Sequence, residues 1–243
     1  MRVLALLLVH AAAASSNWAG YAVTGSTFTD VKGAWVQPAA TCPATGSSYA
    51  AFWVGLGGAT GNGGLEQTGT EADCQNGRAS YSAWYELLPD GSVQVPLAVT
   101  PGDTISAEVA ADTTAGTATL TLTDVTTGQT FTTQQTPSVL DTSSAEWIAE
   151  APSQCFGSRC LQLPLANFGA VQFSGSSTTA NGHVGTISDA SWSATSIELG
   201  GGAGSAVPAA LSPDGTAFAV GFTQPAASRP VRRPKRHRHW ATA

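Results

Sequence analysis

Hydrophobic and polar residues alternate along most of this chain with a period of two, and Gly, Pro, Asn and Asp repeatedly cut the alternation into short runs. Thr117-Ala-Thr-Leu-Thr-Leu-Thr is the plainest case, with Ala118, Leu120 and Leu122 on one side and threonines on the other. Successive side chains of an extended strand project to opposite faces, so such a run buries one face and wets the other. Thr127-Gly128-Gln129 then turns the chain into the next run as a hairpin. The pattern predicts strands over 17–23, 31–37, 49–56, 65–71, 79–87, 92–97, 104–111, 117–125 and 129–133. Further strands are expected over 145–149, 170–173, 190–198 and 216–222. No segment after residue 14 has the spacing of an amphipathic helix. Many short strands with frequent turn residues and no fixed-period repeat predict an all-β domain, a two-sheet antiparallel β-sandwich or jelly roll.

The two ends break this pattern. Met1-Arg2 gives a positive start, an unbroken apolar run follows to Val9, and Ala11 to Ala14 offers small residues for cleavage. Residues 1–14 therefore read as a secretory signal peptide, and a seven-residue apolar run is too short to cross a bilayer. No later stretch is long and apolar enough to be a membrane span. From residue 224 onward prolines interrupt a run of arginines and no apolar face remains, so 224–243 reads as a basic disordered tail. Residues 15–223 are left as one domain, a length that a single β-sandwich fills.

Charge sharpens the picture. Arg229, Arg232, Arg233, Lys235, Arg236 and Arg238 lie in the tail and Arg2 in the leader, so the body holds only Lys32, Arg78 and Arg159 against all sixteen acidic residues. Such a surface is nearly neutral in acid and self-repelling at pH 7, which suits an acidic medium and argues against nucleic acid as a partner of the body. The tail's positive charge is free to lie against the acidic body or an anionic surface. Cys42, Cys74, Cys155 and Cys160 form an even set in an exported chain, where disulfides are the default. Of three possible pairings, Cys155 with Cys160 closes a short loop easily, which leaves Cys42 with Cys74. A zinc site is disfavoured, since no CxxC pair occurs and His183 is the only histidine in the body.

Elimination narrows the chemistry. A serine triad needs a histidine base and finds only His183, and no G-x-S-x-G elbow is present. The cysteines are expected to be paired. Leu140-Asp141-Thr142-Ser143 echoes an aspartic-peptidase signature, but that mechanism needs two aspartates, so Asp141 reads as a turn residue. The Gly-rich stretch 57–64 lacks Lys-Ser/Thr and a following helix, so it reads as a flexible loop and not a phosphate cradle. Carboxylates, amides and aromatics remain. Alternation puts Trp53, Gly55 and Gly57 on one strand face, Gln67, Gly69 and Glu71 on another, and Ser82, Trp84 and Glu86 on a third. Glu146, Ile148 and Glu150 also project to one side. Four such rows suggest the floor of a substrate groove.

These residues also resemble a family. Ser16-Asn17-Trp18-Ala19-Gly20, Trp53-Val-Gly-Leu-Gly-Gly58, Leu65-Glu-Gln-Thr-Gly-Thr-Glu71, Tyr81-Ser-Ala-Trp-Tyr-Glu86 and Ala145-Glu-Trp-Ile-Ala-Glu150 are similar, in order, to segments of the glutamic peptidases, or eqolisins, over about residues 15 to 200. The resemblance implies a concanavalin-like sandwich with a groove on its concave face and a secreted, pepstatin-insensitive acid endopeptidase acting on proteins or peptides. It implies no cofactor or metal, and a monomer is expected. By the same resemblance Gln67 and Glu150 are catalytic, with Glu146 the alternative glutamate, and Trp53, Glu71, Trp84, Glu86 and Glu146 bind substrate or support the pair. Several positions depart from the family pattern: Gly57 and Ser82 stand where aspartates are usual, Glu71 has one methylene more than the usual aspartate, and Leu87-Leu88 replaces Trp-Tyr. Two other readings of the aromatic rows are a glycan-binding or glycan-cleaving jelly roll, and an inactive surface domain of the same fold.

Overall fold

The computed structural model describes residues 12–156, 159–201 and 204–223. The expected tail lies outside them, and so does the expected leader apart from residues 12–14. Among the described residues the chain forms strands and no helix: β1 (Ala13–Ser15), β2 (Trp18–Thr24), β3 (Phe28–Val36), β4 (Ser47–Gly57), β5 (Leu65–Gln75), β6 (Arg78–Leu87), β7 (Val93–Val95), β8 (Thr104–Asp112) and β9 (Thr117–Asp124). There follow β10 (Gln129–Gln135), β11 (Ser144–Glu150), β12 (Ser153–Phe156), β13 (Arg159–Gln162), β14 (Ala170–Ala180), β15 (His183–Gly185), β16 (Ser193–Gly201), β17 (Gly204–Pro208) and β18 (Phe218–Thr223).

The strands are not divided into two separate sheets. Hydrogen bonding runs continuously through β10-β9-β8-β3-β14-β18-β17-β16-β2-β11-β4-β5-β6-β7. That ribbon folds over so that β3 and β8 pack against β4, and β8 and β9 against β5. An all-β, nearly closed sandwich results, antiparallel except where β1 runs parallel to β16. The small hairpin β12–β13 stands apart from the main sheet.

Burial follows the alternation where only one face meets the core. In β9, Ala118, Leu120 and Leu122 are inside and the threonines point outward, with Thr121 and Thr123 bonding Thr132 and Thr130 across to β10. β4 and β11 are buried on both faces. Phe52, Val54, Leu56, Ala145, Trp147 and Ala149 face the sandwich interior. Ala51, Trp53 and Ile148 face the other way, into a smaller cluster with Leu65, Trp84 and Trp18. Two indoles tie the layers together beneath that second face. Trp147 Nε1–H donates to Lys32 O at 2.7 Å, and Trp35 Nε1–H to Thr70 Oγ1 at 2.9 Å. A fully buried aromatic contributes about 3 kcal/mol through area alone, and each of these indoles adds a hydrogen bond between the layers. Both expected disulfides are present, Cys42–Cys74 and Cys155–Cys160.

Candidate active site

The second face of β4, β5, β6 and β11 forms the floor of a cleft of about 380 Å³. Asn17, Trp18, Leu65, Gln67, Glu71, Trp84, Glu86, Leu88 and Glu150 line it, and Pro152, Ser153, Cys155 and Cys160 form one wall. Backbone register delivers these groups. β5 pairs with β4 and β6 so that Gln67 stands opposite Gly55 and Glu86, Gly69 opposite Trp53 and Trp84, and Glu71 opposite Ala51 and Ser82. The alternate residues of β5 turn inward: Thr68 Oγ1–H donates to Trp84 O at 2.8 Å and Thr70 Oγ1–H to Gln37 Oε1 at 2.6 Å. Gly69 is needed for this close pairing, because a Cβ there would lie 2.1 Å from Phe52 O.

Gln67 Nε2–H donates to Glu86 Oε2 at 2.5 Å. That bond uses one of its two amide hydrogens, and Gln67 Oε1 has no protein partner. Burial raises the pKa of Glu86, partly offset by the Gln67 amide and the Ser92 backbone. Glu150 closes β11 and is half-buried. Its Oε2 accepts Trp53 Nε1–H at 2.7 Å and its Oε1 accepts Asn17 Nδ2–H at 3.0 Å. Desolvation pushes Glu150 up to about 7, the Trp53 and Asn17 donors pull it down, and the nearby charge of Glu86 pushes it up again. Glu86 thus touches Gln67 directly and Glu150 through its field. Trp18 packs edge-on against Trp53, ring centroids 5.0 Å apart, and roofs that end of the floor.

Glu146 is placed differently. The register sets it directly across from Gln67, with Gly55 between them. Its carboxyl nevertheless does not reach the cleft, because the residue is wholly buried. Burial holds it well above the carboxylate range, as do Asp141 and Glu66; Ser144 and the Ala59 backbone offset this only in part, and neither makes a full hydrogen bond to it. Glu66, also fully buried, is raised to about 8 by the same desolvation, which the Asp141 backbone offsets in part and the Asp141 charge reinforces. The alternation rule was right about the face of Glu146. It missed the Gly-rich loop after β4, whose Ala59 backbone comes down over that carboxyl.

The departures at Gly57, Ser82 and Glu71 have local counterparts. Gly57 has φ +86°, and a Cβ there would lie 2.6 Å from Asp141 Cβ. Asp141 therefore fills the space that a side chain at 57 would need. Its carboxylate accepts Ser143 N–H at 2.9 Å, the turn role expected of it. Ser82 hydroxyl donates to Glu71, so the longer acid and the shorter alcohol form one cross-strand pair. Leu88 lines the cleft where a larger aromatic is usual in the family. Sequence reasoning did not single out Asn17 as a partner of Glu150, nor the 153–162 hairpin as a wall; the Cys155–Cys160 spacing was the one available signal for the hairpin. Among the described residues no cluster of His, Cys, Asp and Glu is arranged to hold a metal ion, and no helix is long and apolar enough to cross a membrane.

Comparison with known proteins gives a consistent result. The model of the peptidase A4 family matches residues 16–210. Aspergillopepsin-2 of Aspergillus niger is 32% identical over 72% of this chain and 68% of its own length. Scytalidopepsin B of Scytalidium lignicola is 34% identical over 74% of this chain and 69% of its own. Among solved structures, scytalido-glutamic peptidase with a transition state analog inhibitor superposes with a TM-score of 0.74, at 28% identity, over 86% of this chain and 99% of that one. Aspergilloglutamic peptidase from Aspergillus niger superposes with a TM-score of 0.61, at 27% identity, over 72% of this chain and 99% of that one.

Proposed function

We propose that this chain, which belongs to the peptidase A4 family, is an acid endopeptidase whose catalytic pair is Gln67 and Glu150. Membership makes it a peptidase; the proposal concerns which groups act and under what conditions. The observation that carries it is that Gln67 and Glu150 open into one cleft, each held by its own donors and acceptors, while Glu146 is sealed beneath a loop.

Amide hydrolysis needs an activated water, a donor for the developing oxyanion and a proton for the leaving nitrogen. Glu150 as the carboxylate takes a proton from water, which attacks the carbonyl carbon, and the resulting carboxylic acid returns that proton to nitrogen as the C–N bond breaks. The Gln67 amide hydrogen not committed to Glu86 holds the oxyanion. A preorganised amide donor of this kind contributes ~3 kcal/mol in the transition state and does not titrate. Glu86, by accepting from Nε2, fixes the orientation of the Gln67 amide. Desolvation raises Glu150 to about 7, and the Trp53 and Asn17 donors pull against that rise and favour the ionised form. The groups that act all come from one chain, so a monomer suffices, and no metal or organic cofactor enters. The apolar start of the sequence and the two disulfides support export to an oxidising, extracellular setting. The substrates are proteins and peptides, and Leu88 with Leu65 and Trp84 offers an apolar subsite.

The test is digestion of an unfolded protein from pH 2 to 8, with and without pepstatin, a chelator and a serine reagent. The reading expects internal cleavage that peaks in acid, resists all three reagents and fades toward neutrality. Undiminished activity at pH 8, or loss to a chelator or serine reagent, contradicts it.

A further inference from the structure

Glu150 is the last residue of β11, so the sheet alone does not fix its carboxyl. Trp53 is fully buried in β4, and the core fixes that donor. The second donor, Asn17, comes from outside the floor, in the turn between β1 and β2. Local bonds shape that turn. The Ser15 hydroxyl accepts the backbone N–H of Asn17 at 3.3 Å and of Trp18 at 3.1 Å, and itself donates to Asn17 Oδ1 at 3.3 Å. An oxygen engaged by a hydroxyl donor leaves the Asn17 amide nitrogen facing Glu150, which fixes the orientation of the side chain. The turn is also tied down on both sides. Ala151 N–H donates to Asn17 O at 2.9 Å, and the Gln162 amide donates to Ser16 O.

We propose that Asn17 is a positioning residue for peptide hydrolysis: its amide holds Glu150 in the ionised, water-activating form, so the seating of the 15–18 turn sets the acid end of the working range. This rests on Glu150 being the base. The surroundings make the role necessary. Among the described residues, the charged groups facing Glu150 are Glu86 from β6 and, across the same cleft, Glu71 from β5, and no Lys, Arg or His lines it. A carboxylate among carboxylates, partly desolvated, keeps its charge only through neutral donors. Trp53 and Asn17 are bonded to it directly and Trp18 lowers its pKa more weakly; of these, Asn17 and Trp18 are carried by a segment that local side-chain bonds hold in place, and Asn17 makes the full bond.

The test is the pH dependence of kcat/KM on a peptide substrate for wild type, Asn17→Ala and Ser15→Ala, with Glu150→Gln as control and melting at pH 4 as a check on folding. A lost bond to a charged group is expected to move the acid limb of Asn17→Ala upward by about one pH unit. Activity then falls about tenfold on that limb and recovers at higher pH. Ser15→Ala, which loosens the turn without touching Glu150, should shift the limb the same way by less. A residue that merely supports the fold would lower activity equally at every pH, and an unmoved limb in Asn17→Ala overturns the proposal. If Asn17→Ala does not fold, Ser15→Ala decides, and an unmoved limb there overturns it. An inactive Glu150→Gln beside an unmoved limb defeats this inference alone, whereas an active Glu150→Gln defeats the reading of the catalytic pair on which it rests.

Discussion

Gln67 illustrates how one side chain can be committed and available at once. Its nitrogen gives one hydrogen to Glu86, while its oxygen is buried without a protein partner. A buried amide oxygen left bare costs free energy, and it is the second amide hydrogen on Nε2 that stays available to a molecule entering the cleft. Removing the side chain removes both functions. Gln67→Ala should therefore lower kcat by about 10²-fold or more with a smaller change in KM, measured at the acid optimum. An unchanged kcat would mean that the oxyanion is held elsewhere. The residue scale also marks the limits of the sequence. Gln67, Glu86, Trp84 and Glu150 were legible because a period of two places them on one face and the structure keeps them there. Asn17 was not, because it acts from a turn across a sequence separation of 133 residues, and no local pattern announces that contact. Glu146 was legible as to face but not as to burial, since the cover comes from a loop whose glycines reveal flexibility and not destination.

At the scale of elements, the strands with Thr/Val/aromatic alternation lie where the pattern put them, from β2 through β11, with ends moved by at most four residues. β14 extends well past Phe173 to Ala180, because Ser, Thr and Gly there pair with β3 without an apolar alternation to reveal it. The β12–β13 hairpin and β17 were missed for related reasons: they are short, polar or Gly-rich, and hold their form by cross-links and neighbours. The two disulfides serve these elements unequally. Cys42–Cys74 spans 32 residues and pins β5 beside the core, while Cys155–Cys160 spans 5 and staples a hairpin at the rim of the cleft. Loop-closure entropy predicts stabilisation of about 4 kcal/mol for the first and about 2 kcal/mol for the second. Replacing Cys42 and Cys74 together with Ala should thus lower the Tm clearly more than replacing Cys155 and Cys160. The second pair should instead raise KM, because the hairpin wall slackens. Paired melting and kinetic measurements check both; a KM unchanged in the Cys155/Cys160 variant would remove that hairpin from substrate binding.

For the whole molecule, the dominant electrostatic feature is a set of carboxyls that folding pushes upward. Glu66 moves from 4.5 to about 8, Glu150 from 4.5 to about 7, and Asp73 and Asp30 from 3.8 to about 7, each chiefly through desolvation. Glu146 moves in the same direction. A raised folded-state pKa means that the native protein binds protons more tightly than the unfolded chain. That stabilisation is complete below the ordinary carboxylate pKa and is lost as pH climbs through the folded values, so the window runs from about pH 4 to 8. Lys32, the sole basic group that the described residues pair with Asp30, offsets only that site. The Tm should be highest near pH 3 to 4 and fall by about 10 °C or more by pH 8, which corresponds to a few kcal/mol in a domain of this size. Glu66→Gln, which cannot ionise, should flatten that decline. A Tm that rises from pH 4 to 8 in the wild type would contradict this account. The acid bias was visible in the composition, in three body cations against sixteen acids. Its main location, in buried carboxyls at the ends of β5 and β11, was not.

All of these scales meet in the choice between two glutamates on one strand. Glu150 lines the cleft with two neutral donors on its carboxyl, and Glu146, four residues earlier, lies beneath the loop that follows β4. The most direct measurement is the single-turnover rate of peptide cleavage at the acid optimum for Glu150→Gln and Glu146→Gln, with melting at the same pH to show that both are folded. The account predicts no detectable cleavage by Glu150→Gln and cleavage within about tenfold of wild type by Glu146→Gln. Loss of cleavage in Glu146→Gln with activity retained in Glu150→Gln would contradict it.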